Sequence, residues 1–243
     1  MHLVFRMHRL IFYRGVANME QLHNGFLLEA GGDSFPLSTD SMVLAHFAKL
    51  PKGAQVLDLG AGCGTLGLLL CAKDAGCSVT GLEIDPSSHE AALHNIQRNS
   101  LQGRMESICQ DLRGFSGEGF HVCISNPPYF SGGPASARHP IARREDNCNT
   151  DELFEAAAKA LRYGGDFFLV HKPERLAQLI GCGAKRGLEA KRLLLLRHKQ
   201  GGDISLVFLS FRKGGKPGLN IEEAALFDSE NNPTDFYKTV YHL

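Results

Sequence analysis

The sequence has no net charge, no long apolar run and no paired-cysteine motif, and each absence excludes a class of protein. The chain of 243 residues carries 26 Lys and Arg against 26 Asp and Glu. A global basic field is therefore missing, and a nucleic-acid partner would need a local patch. No apolar run is long enough to span a bilayer. The seven cysteines include no CxxC pair, which argues against a disulfide framework or a zinc site and favours a reduced, cytoplasmic protein.

The two ends of the chain differ from its centre. Residues 1–18 are basic and partly apolar, but arginines interrupt the run, so it lacks the core of a signal peptide. Met19 is the more natural first residue, and we expect residues 1–18 to be an extension. We predict that residues 1–53 pack on a core domain of residues 54–213. Residues 214–243 are polar and are expected to form a loosely held tail.

Strand and helix patterns alternate from residue 54 onward. Predicted strands cover residues 54–59, 77–85, 105–111, 120–126, 166–170, 189–199 and 204–213. Helical patterns lie between most of them, including one that starts at Pro86 and one over 150–165. This alternation predicts an α/β fold with a doubly wound, mostly parallel, seven-stranded sheet. The last two strands have no helix between them, which predicts an antiparallel hairpin at one edge.

A glycine-rich turn joins the first strand to its helix in VLDLGAGCGTLGL. Gly60, Gly62 and Gly64 allow a tight turn and leave room for a ligand at the helix N-terminus. The GxGxG spacing, with Asp58 before it, differs from the GxGxxG of dinucleotide loops. An acid here suits a cationic ligand better than a pyrophosphate. S-adenosylmethionine, with its ammonium and sulfonium groups, fits that description; the alternative is an ordinary glycine turn that Asp58 caps.

Further acids fall at the predicted carboxyl ends of strands, where open α/β sheets bind ligands. Glu83 ends the second strand, at the position from which an acid accepts hydrogen bonds from ribose hydroxyls. Asp85 could serve instead, but it is also the expected N-cap of the helix that begins at Pro86. Asp111 ends the third strand, and the alternative for this residue is a solvated loop acid.

The fourth strand ends in SNPPYF, in which two prolines forbid both helix and further sheet pairing. An exocyclic amino group conjugated to a ring is a poor nucleophile because its lone pair is delocalised. The Asn126 side-chain oxygen and the Pro127 carbonyl could accept its hydrogens and turn the lone pair toward a methyl donor. Tyr129 offers a face on which a flipped base can stack. The alternative is a rigid loop after a strand.

These motifs, in this order, resemble the class I S-adenosylmethionine-dependent methyltransferases with an [N/D]PP[Y/F/W] motif, which methylate planar amino groups. Over residues 20–213 the chain most resembles the bacterial tRNA1(Val) adenine-37 N6-methyltransferase family. FPLSTDSMVLAHFA, IARREDN and GGDFFLVHKPERL add to the likeness. The resemblance implies a Rossmann-like enzyme that methylates the N6 amino group of a tRNA adenine and leaves S-adenosylhomocysteine.

The resemblance also implies roles for individual residues. The expected cofactor contacts are Asp58, Gly60, Gly62, Glu83 and Asp111, with Asp40 lining the pocket from the N-terminal segment. The expected catalytic residues are Asn126, Pro127 and Tyr129, which would hold the adenine.

Two basic stretches are candidates for RNA contact. Beside the NPPY motif the candidate RNA-binding residues are Pro128, Phe130, Arg138, Arg143 and Arg144. Residues 185–216 carry nine further Lys and Arg residues against two acids. This second cluster could bind phosphate or could be a solvated strand edge on which lysines discourage pairing.

Three rival functions remain open at this stage. One is N2 methylation of a guanine in rRNA, and another is N5 methylation of a protein glutamine. The glutamine enzymes resemble one another in a sizeable helical domain ahead of the glycine loop, for which this chain has little room. The third is an RNA-binding module that keeps the fold without catalysis. Nothing in the sequence indicates a membrane, a metal or an obligate protein partner.

Overall fold

The computed structural model describes residues 19–22, 24–29, 37–128 and 150–242. A two-stranded hairpin comes first, formed by β1 (Met19–Gln21) and β2 (Leu27–Glu29). The strands of the large sheet are β3 (Gln55–Leu59), β4 (Ser78–Glu83), β5 (Met105–Cys109), β6 (Phe120–Ser125), β7 (Leu161–His171), β8 (Leu188–Lys199), β9 (Ile204–Lys213) and β10 (Asn220–Phe227). The helices are α1 (Thr39–Phe47), α2 (Thr65–Lys73), α3 (Pro86–Arg98), α4 (Thr150–Ala160), α5 (Leu176–Lys185) and α6 (Asp235–Tyr241).

The large sheet confirms the predicted fold class. Its strand order is β10-β8-β9-β7-β6-β3-β4-β5. The strands from β5 to β7 pair in parallel, whereas β9 is antiparallel to both β7 and β8. Chain order reverses between β3 and β6, because β4 and β5 extend the sheet on one side of β3 and β6 and β7 on the other. Such a switch point opens a ligand crevice at the carboxyl ends of the strands.

Helices cover both faces of the sheet. On β3, Val56 belongs to a buried cluster that includes residues of α1, α2 and α3. Its neighbour Leu57 belongs to a second cluster that includes residues of α4 and α5. Successive side chains of a strand point to opposite faces, and both of these are fully buried. The unbroken apolar character of the central strands is the consequence of this two-sided burial.

The C-terminal segment differs from the loosely held tail that its composition predicts. Within the described residues, β10 pairs in parallel with β8, so the sheet has eight strands and the β8–β9 hairpin lies inside its edge. The polar sequence did not indicate this strand, because its charged residue Glu222 is paired with the distant Arg192 at 3.0 Å. Leu226 of the same strand is buried. Val240 of α6 is also buried in the core.

Two predicted boundaries shift for local reasons. Helix α4 ends at Ala160 because residues 161–165 already belong to β7, where the pairing with β6 shifts register. The helix expected from Pro173 begins with a 3-10 turn, Pro173–Arg175, before α5.

The described residues contain no helix that is both long and apolar enough to cross a membrane. The six cysteines in the described ranges are free thiols, and five of them are buried.

Candidate active site

The carboxyl ends of β3, β4 and β6 meet at one rim of the sheet. Asp58 pairs in register with Gly81 of β4 and with Ile124 of β6. Glu83 ends β4, and Asn126 follows the last residue of β6. The parallel register therefore brings Asp58, Glu83 and Asn126 to the same rim, at the switch point of the sheet.

The glycine loop folds back onto the end of β4. The backbone N–H groups of Gly60 and Ala61 both donate to the Leu82 carbonyl, at 3.0 and 2.9 Å. Gly60 and Gly62 have φ of 77° and 55°, in the left-handed region that favours glycine. A Cβ at either position would meet no atom within 4 Å. The two glycines are thus required by backbone conformation, and space lies beside them for a ligand.

Asp58 is a buried acid without a visible partner. Asp58 is 1% exposed, and neither of its carboxylate oxygens has a hydrogen-bond partner among the described residues. Burial, with a smaller effect from Glu83, raises the pKa of Asp58 to about 8. A buried carboxylate that lacks donors is costly unless something neutralises it. A ligand cation or N–H group would do so, and the chemistry of this position fits the ammonium group of S-adenosylmethionine.

Glu83 both shapes the loop and borders the pocket. Its Oε2 accepts a hydrogen bond from the Gly62 N–H at 2.7 Å, and its Oε1 accepts one from the Asp85 N–H at 2.8 Å. Burial raises the pKa of Glu83. Each carboxylate oxygen can accept more than one bond, so hydroxyls of a ligand can add to these contacts. Asp85 caps α3 by accepting from the Ser88 N–H at 2.8 Å, so Glu83 is the stronger candidate of the two for contact with a ribose.

Asp111 reaches the rim but is already bound. It caps a 3-10 turn, Leu112–Gly114, and both of its carboxylate oxygens accept hydrogen bonds from the Arg113 guanidinium. Arg113 holds the pKa of Asp111 below its ordinary value. Arg113 also lies 3.7 Å from Glu152 of α4. A ligand that uses Asp111 must therefore share the carboxylate with Arg113.

The start of the NPPY motif is fixed by two neighbouring elements. Ser125 is buried, and its hydroxyl donates to the Leu59 carbonyl at 2.7 Å, which ties the end of β6 to the end of β3. The Asn126 side-chain Nδ2 donates to Ser41 Oγ at 3.1 Å. Pro127 is half-buried and Pro128 is exposed.

The remaining predicted residues of this region lie outside the described residues. They are Tyr129, Phe130, Arg138, Arg143 and Arg144.

Helix α1 brings Asp40 to the neighbourhood of the motif. Asp40 lies in the first turn of α1, between Thr39 and Ser41. The Thr39 and Tyr241 hydroxyls are 2.9 Å apart, so the C-terminal helix α6 supports this turn. The predicted position of Asp40 at the border of the site is consistent with the Ser41–Asn126 contact, although no described contact of Asp40 assigns it to the cofactor.

Two residues near the rim escaped the sequence interpretation. Ser41 contacts Asn126 across 85 positions of sequence, and no local pattern indicates such a pairing. Gly81 lies on β4 beside Asp58, and a Cβ built there would stand 2.8 Å from Ala61 Cβ. An isolated glycine inside a buried strand indicates a close approach of another chain segment, so Gly81 carried a signal that could have been used.

The basic cluster of residues 185–216 is largely neutralised in three dimensions. Its four arginines that pair with acids are Arg186 with Asp151, Arg192 with Glu222, Arg197 with Glu223 and Arg212 with Asp166. Lys191 and Lys213 donate to backbone carbonyls. The start of β8 and the end of β9 also lie at the opposite end of the strands from the rim that carries Asp58, Glu83 and Asn126. These contacts favour a structural role over phosphate binding.

Comparison with known sequences assigns the family. Residues 38–180 match the family described as methyltransferase small domain. The chain is 31% identical over 182 residues to a tRNA1(Val) (adenine(37)-N6)-methyltransferase of Bacteroides fragilis, a match that covers 72% of this chain and 76% of the relative. A relative of the same name from Tolumonas auensis is 30% identical, with 81% and 83% covered. The chain belongs to this methyltransferase family.

Solved structures agree with the fold of a methyltransferase. A "predicted O-methyltransferase" from Agrobacterium tumefaciens superposes with a TM-score of 0.71 at 20% identity, over 84% of this chain and 96% of that one. A 16S rRNA N2 methyltransferase of T. thermophilus, in complex with AdoMet and guanosine, gives 0.57 at 22% identity, over 80% and 49%. The family assignment confirms the predicted resemblance, the enzyme class and S-adenosylmethionine as the methyl donor of this methyltransferase.

Gly81→Ala is expected to weaken cofactor binding by displacing the glycine loop. The new methyl group would meet Ala61 Cβ at 2.8 Å, and relief requires a shift of the loop next to Asp58. Overpacking of this kind typically costs 1–3 kcal/mol, so we expect the Kd for S-adenosylmethionine, measured by calorimetry, to rise about tenfold.

Two further variants test that explanation. Ala61→Gly in the Gly81→Ala background removes the clashing partner and should restore most of the affinity. Gly103→Ala is a matched control, because a Cβ there meets no atom within 4 Å. Equal affinity losses in Gly81→Ala and Gly103→Ala, or no recovery in the double variant, would contradict the proposed packing.

Proposed function

We propose that this methyltransferase transfers a methyl group from S-adenosylmethionine to the exocyclic N6 amino group of an adenine in tRNA. The proposed target is position 37 of tRNA1(Val), as the names of the relatives state for those proteins, and the proposed compartment is the cytoplasm. The observation that carries the proposal is the position of Asn126, which stands at the end of β6 on the same rim as Asp58 and Glu83. An amide acceptor thereby adjoins the cofactor pocket.

The residues of the rim have distinct proposed tasks toward the cofactor. S-adenosylmethionine supplies a methyl group on a sulfonium, which is reactive enough to need no metal and no strong base. The buried Asp58 would neutralise the ammonium group, and Glu83 would accept from ribose hydroxyls. Gly60 and Gly62 would let the ligand approach the backbone, with Asp111 and Asp40 contributing further contacts.

Asn126 and Pro127 would act on the amino group of the substrate. Their carbonyl oxygens accept its two hydrogens, which draws the nitrogen lone pair out of conjugation with the ring and aims it at the methyl group. Proline fixes the backbone at this point, so the acceptors are organised before the base arrives. Tyr129 is proposed to stack on the flipped base.

The proposed RNA contacts are Pro128, Phe130, Arg138, Arg143 and Arg144. Pro128 belongs to the NPPY motif, Phe130 follows it and the three arginines lie in the next stretch of sequence, where positive charge beside the reacting base would hold the phosphates that flank it. The limits proposed from the sequence, 1–53, 54–213 and 214–243, remain proposed limits of segments within one unit, because β10 of the last segment is a strand of the large sheet.

Labelled S-adenosylmethionine and unmodified tRNA1(Val) transcript test the function. The expected result is label in N6-methyladenosine after digestion to nucleosides, with no label in a transcript that carries guanine in place of adenine 37. Label in N2-methylguanosine would favour the rRNA-type alternative, and label in protein would favour glutamine methylation. Cofactor binding without transfer to any RNA or protein would mean a binding module.

A further inference from the structure

The Asn126 side chain is held from one side by the first turn of α1. Its Nδ2 donates to Ser41 Oγ at 3.1 Å. Ser41 is 6% exposed, so water has little access to replace this contact. The two residues come from distant parts of the chain, and only the packing of α1 against the rim brings them together.

The surrounding hydrogen bonds favour Ser41 as an acceptor. Ser38 is the N-cap of α1, and its oxygen accepts from the Ser41 N–H at 3.2 Å. The Ser38 hydroxyl hydrogen is directed to Ser41 Oγ at 3.2 Å. Ser41 Oγ thus receives one hydrogen from Ser38 and one from Asn126. In this arrangement the nitrogen corner of the Asn126 amide faces Ser41 Oγ.

Helix α1 is a rigid support for that oxygen. Val43 and Leu44 of α1 are fully buried. The Lys73 ammonium donates to the carbonyls of Ala45 and Ala48 at the other end of the helix, at 2.8 and 2.6 Å. Core packing and the contacts at its C-terminal end therefore fix the helix that carries Ser41, and these contacts do not involve the site.

We propose that Ser41 is a positioning residue that holds the Asn126 amide in place at the rim of the sheet. This inference rests on the proposed function, in which the amide oxygen accepts a hydrogen from the substrate amino group. When Ser41 holds Nδ2, the oxygen occupies the opposite corner of the planar amide and faces the other side. The reverse orientation would place N–H hydrogens against the hydrogens of the amino group, which repel each other and leave no acceptor.

Ser41→Ala removes the hydroxyl that contacts the Asn126 amide. We expect kcat to fall about three- to tenfold, in the range of one hydrogen bond. The Kd for S-adenosylmethionine and the KM for tRNA should stay within about twofold of the native values, because the reacting geometry is lost and binding is retained. Ser41→Thr keeps the hydroxyl and should restore most of kcat.

Thr39→Val is the matched control in the same turn, since it removes a hydroxyl that contacts Tyr241 and not Asn126. Its thermal midpoint should fall at least as far as that of Ser41→Ala, with kcat unchanged. A second measurement uses Asn126→Ala, which has no amide for Ser41 to hold. Adding Ser41→Ala to that background should change kcat less than about twofold.

The outcomes separate this inference from the function on which it rests. No transfer to adenine by the native enzyme would remove the function itself. Transfer by the native enzyme, with unchanged kcat in Ser41→Ala, would overturn the role of Ser41 alone. Equal falls in kcat in Ser41→Ala and Thr39→Val, or a loss of cofactor affinity that parallels the loss of kcat, would show that Ser41 only stabilises the fold.

Discussion

Asn126→Ala should lower kcat by about 10²- to 10³-fold, the typical cost of removing one preorganised hydrogen-bonding group from a reacting centre. The variant keeps Ser125 and its bond to the Leu59 carbonyl, so the end of β6 should stay in place. The Kd for S-adenosylmethionine should change little, because Asp58 and Glu83 lie on other strands. Single-turnover transfer to tRNA and calorimetry with the cofactor measure the two quantities separately.

Asn126→Asp distinguishes a role of Asn126 as a hydrogen-bond acceptor from a role in packing. Aspartate has nearly the volume of asparagine and keeps an acceptor oxygen, so it should retain more activity than Asn126→Ala. Asn126→Leu keeps the volume without any acceptor and should be as inactive as alanine. If leucine and aspartate behave alike, or if all three variants lose cofactor binding, Asn126 does not act on the amino group.

The fold was predictable because its signals are local. Each strand from β3 to β7 is a short apolar run followed by a helix or a turn, and such alternation admits few topologies. Strand β10 was missed because Glu222 and Glu223 face arginines of β8, so its outward charges balance charges that the local sequence does not show. The same pairs are absent from a count of charges along residues 185–216, which is why the sequence alone left both phosphate binding and a solvated strand edge open.

The position of a candidate site residue was predictable where it follows from the end of the strand that carries the residue. The position rule for open sheets places Asp58, Glu83 and Asn126 on one rim, and the register confirms that placement. What each side chain contacts depends on distant partners and could not be predicted. Glu83 holds the Gly62 N–H, Arg113 occupies Asp111, and Ser41 holds Asn126. Position follows from topology, whereas orientation follows from packing between elements far apart in sequence.

Asp58→Asn should separate cofactor affinity from stability. Burial raises the pKa of Asp58 to about 8, whereas in the unfolded chain an Asp titrates near pH 4. Between about pH 4 and 8 the folded, ligand-free protein keeps a proton that the unfolded chain has lost. The contribution of Asp58 to folding stability is complete below about pH 4 and is lost as the pH rises to about 8. The asparagine variant lacks this dependence, so at pH 8 it should be more stable than the native protein by about 2–5 kcal/mol.

Binding should show the opposite effect. Asparagine cannot neutralise an ammonium group, and its own N–H groups would face the cation, so we expect the Kd for S-adenosylmethionine to rise about 100-fold or more. Asp166→Asn is the matched control, because Asp166 is already paired with Arg212 at 2.8 Å. That variant should lose a little stability and no cofactor affinity.

Proton release gives the sharpest test of Asp58. If Asp58 is protonated in the free protein and charged in the complex, binding at pH 7 must release most of one proton. Above about pH 9 this release must disappear, because Asp58 is already ionised and the neutral α-amino group of the free cofactor takes up a proton instead. Calorimetry in buffers of different ionisation enthalpy measures that number directly. Asp58→Asn should bind weakly and release none. A native protein that binds the cofactor at pH 7 without proton release would mean that Asp58 is already ionised, and a partner for its charge would then have to exist in the free protein.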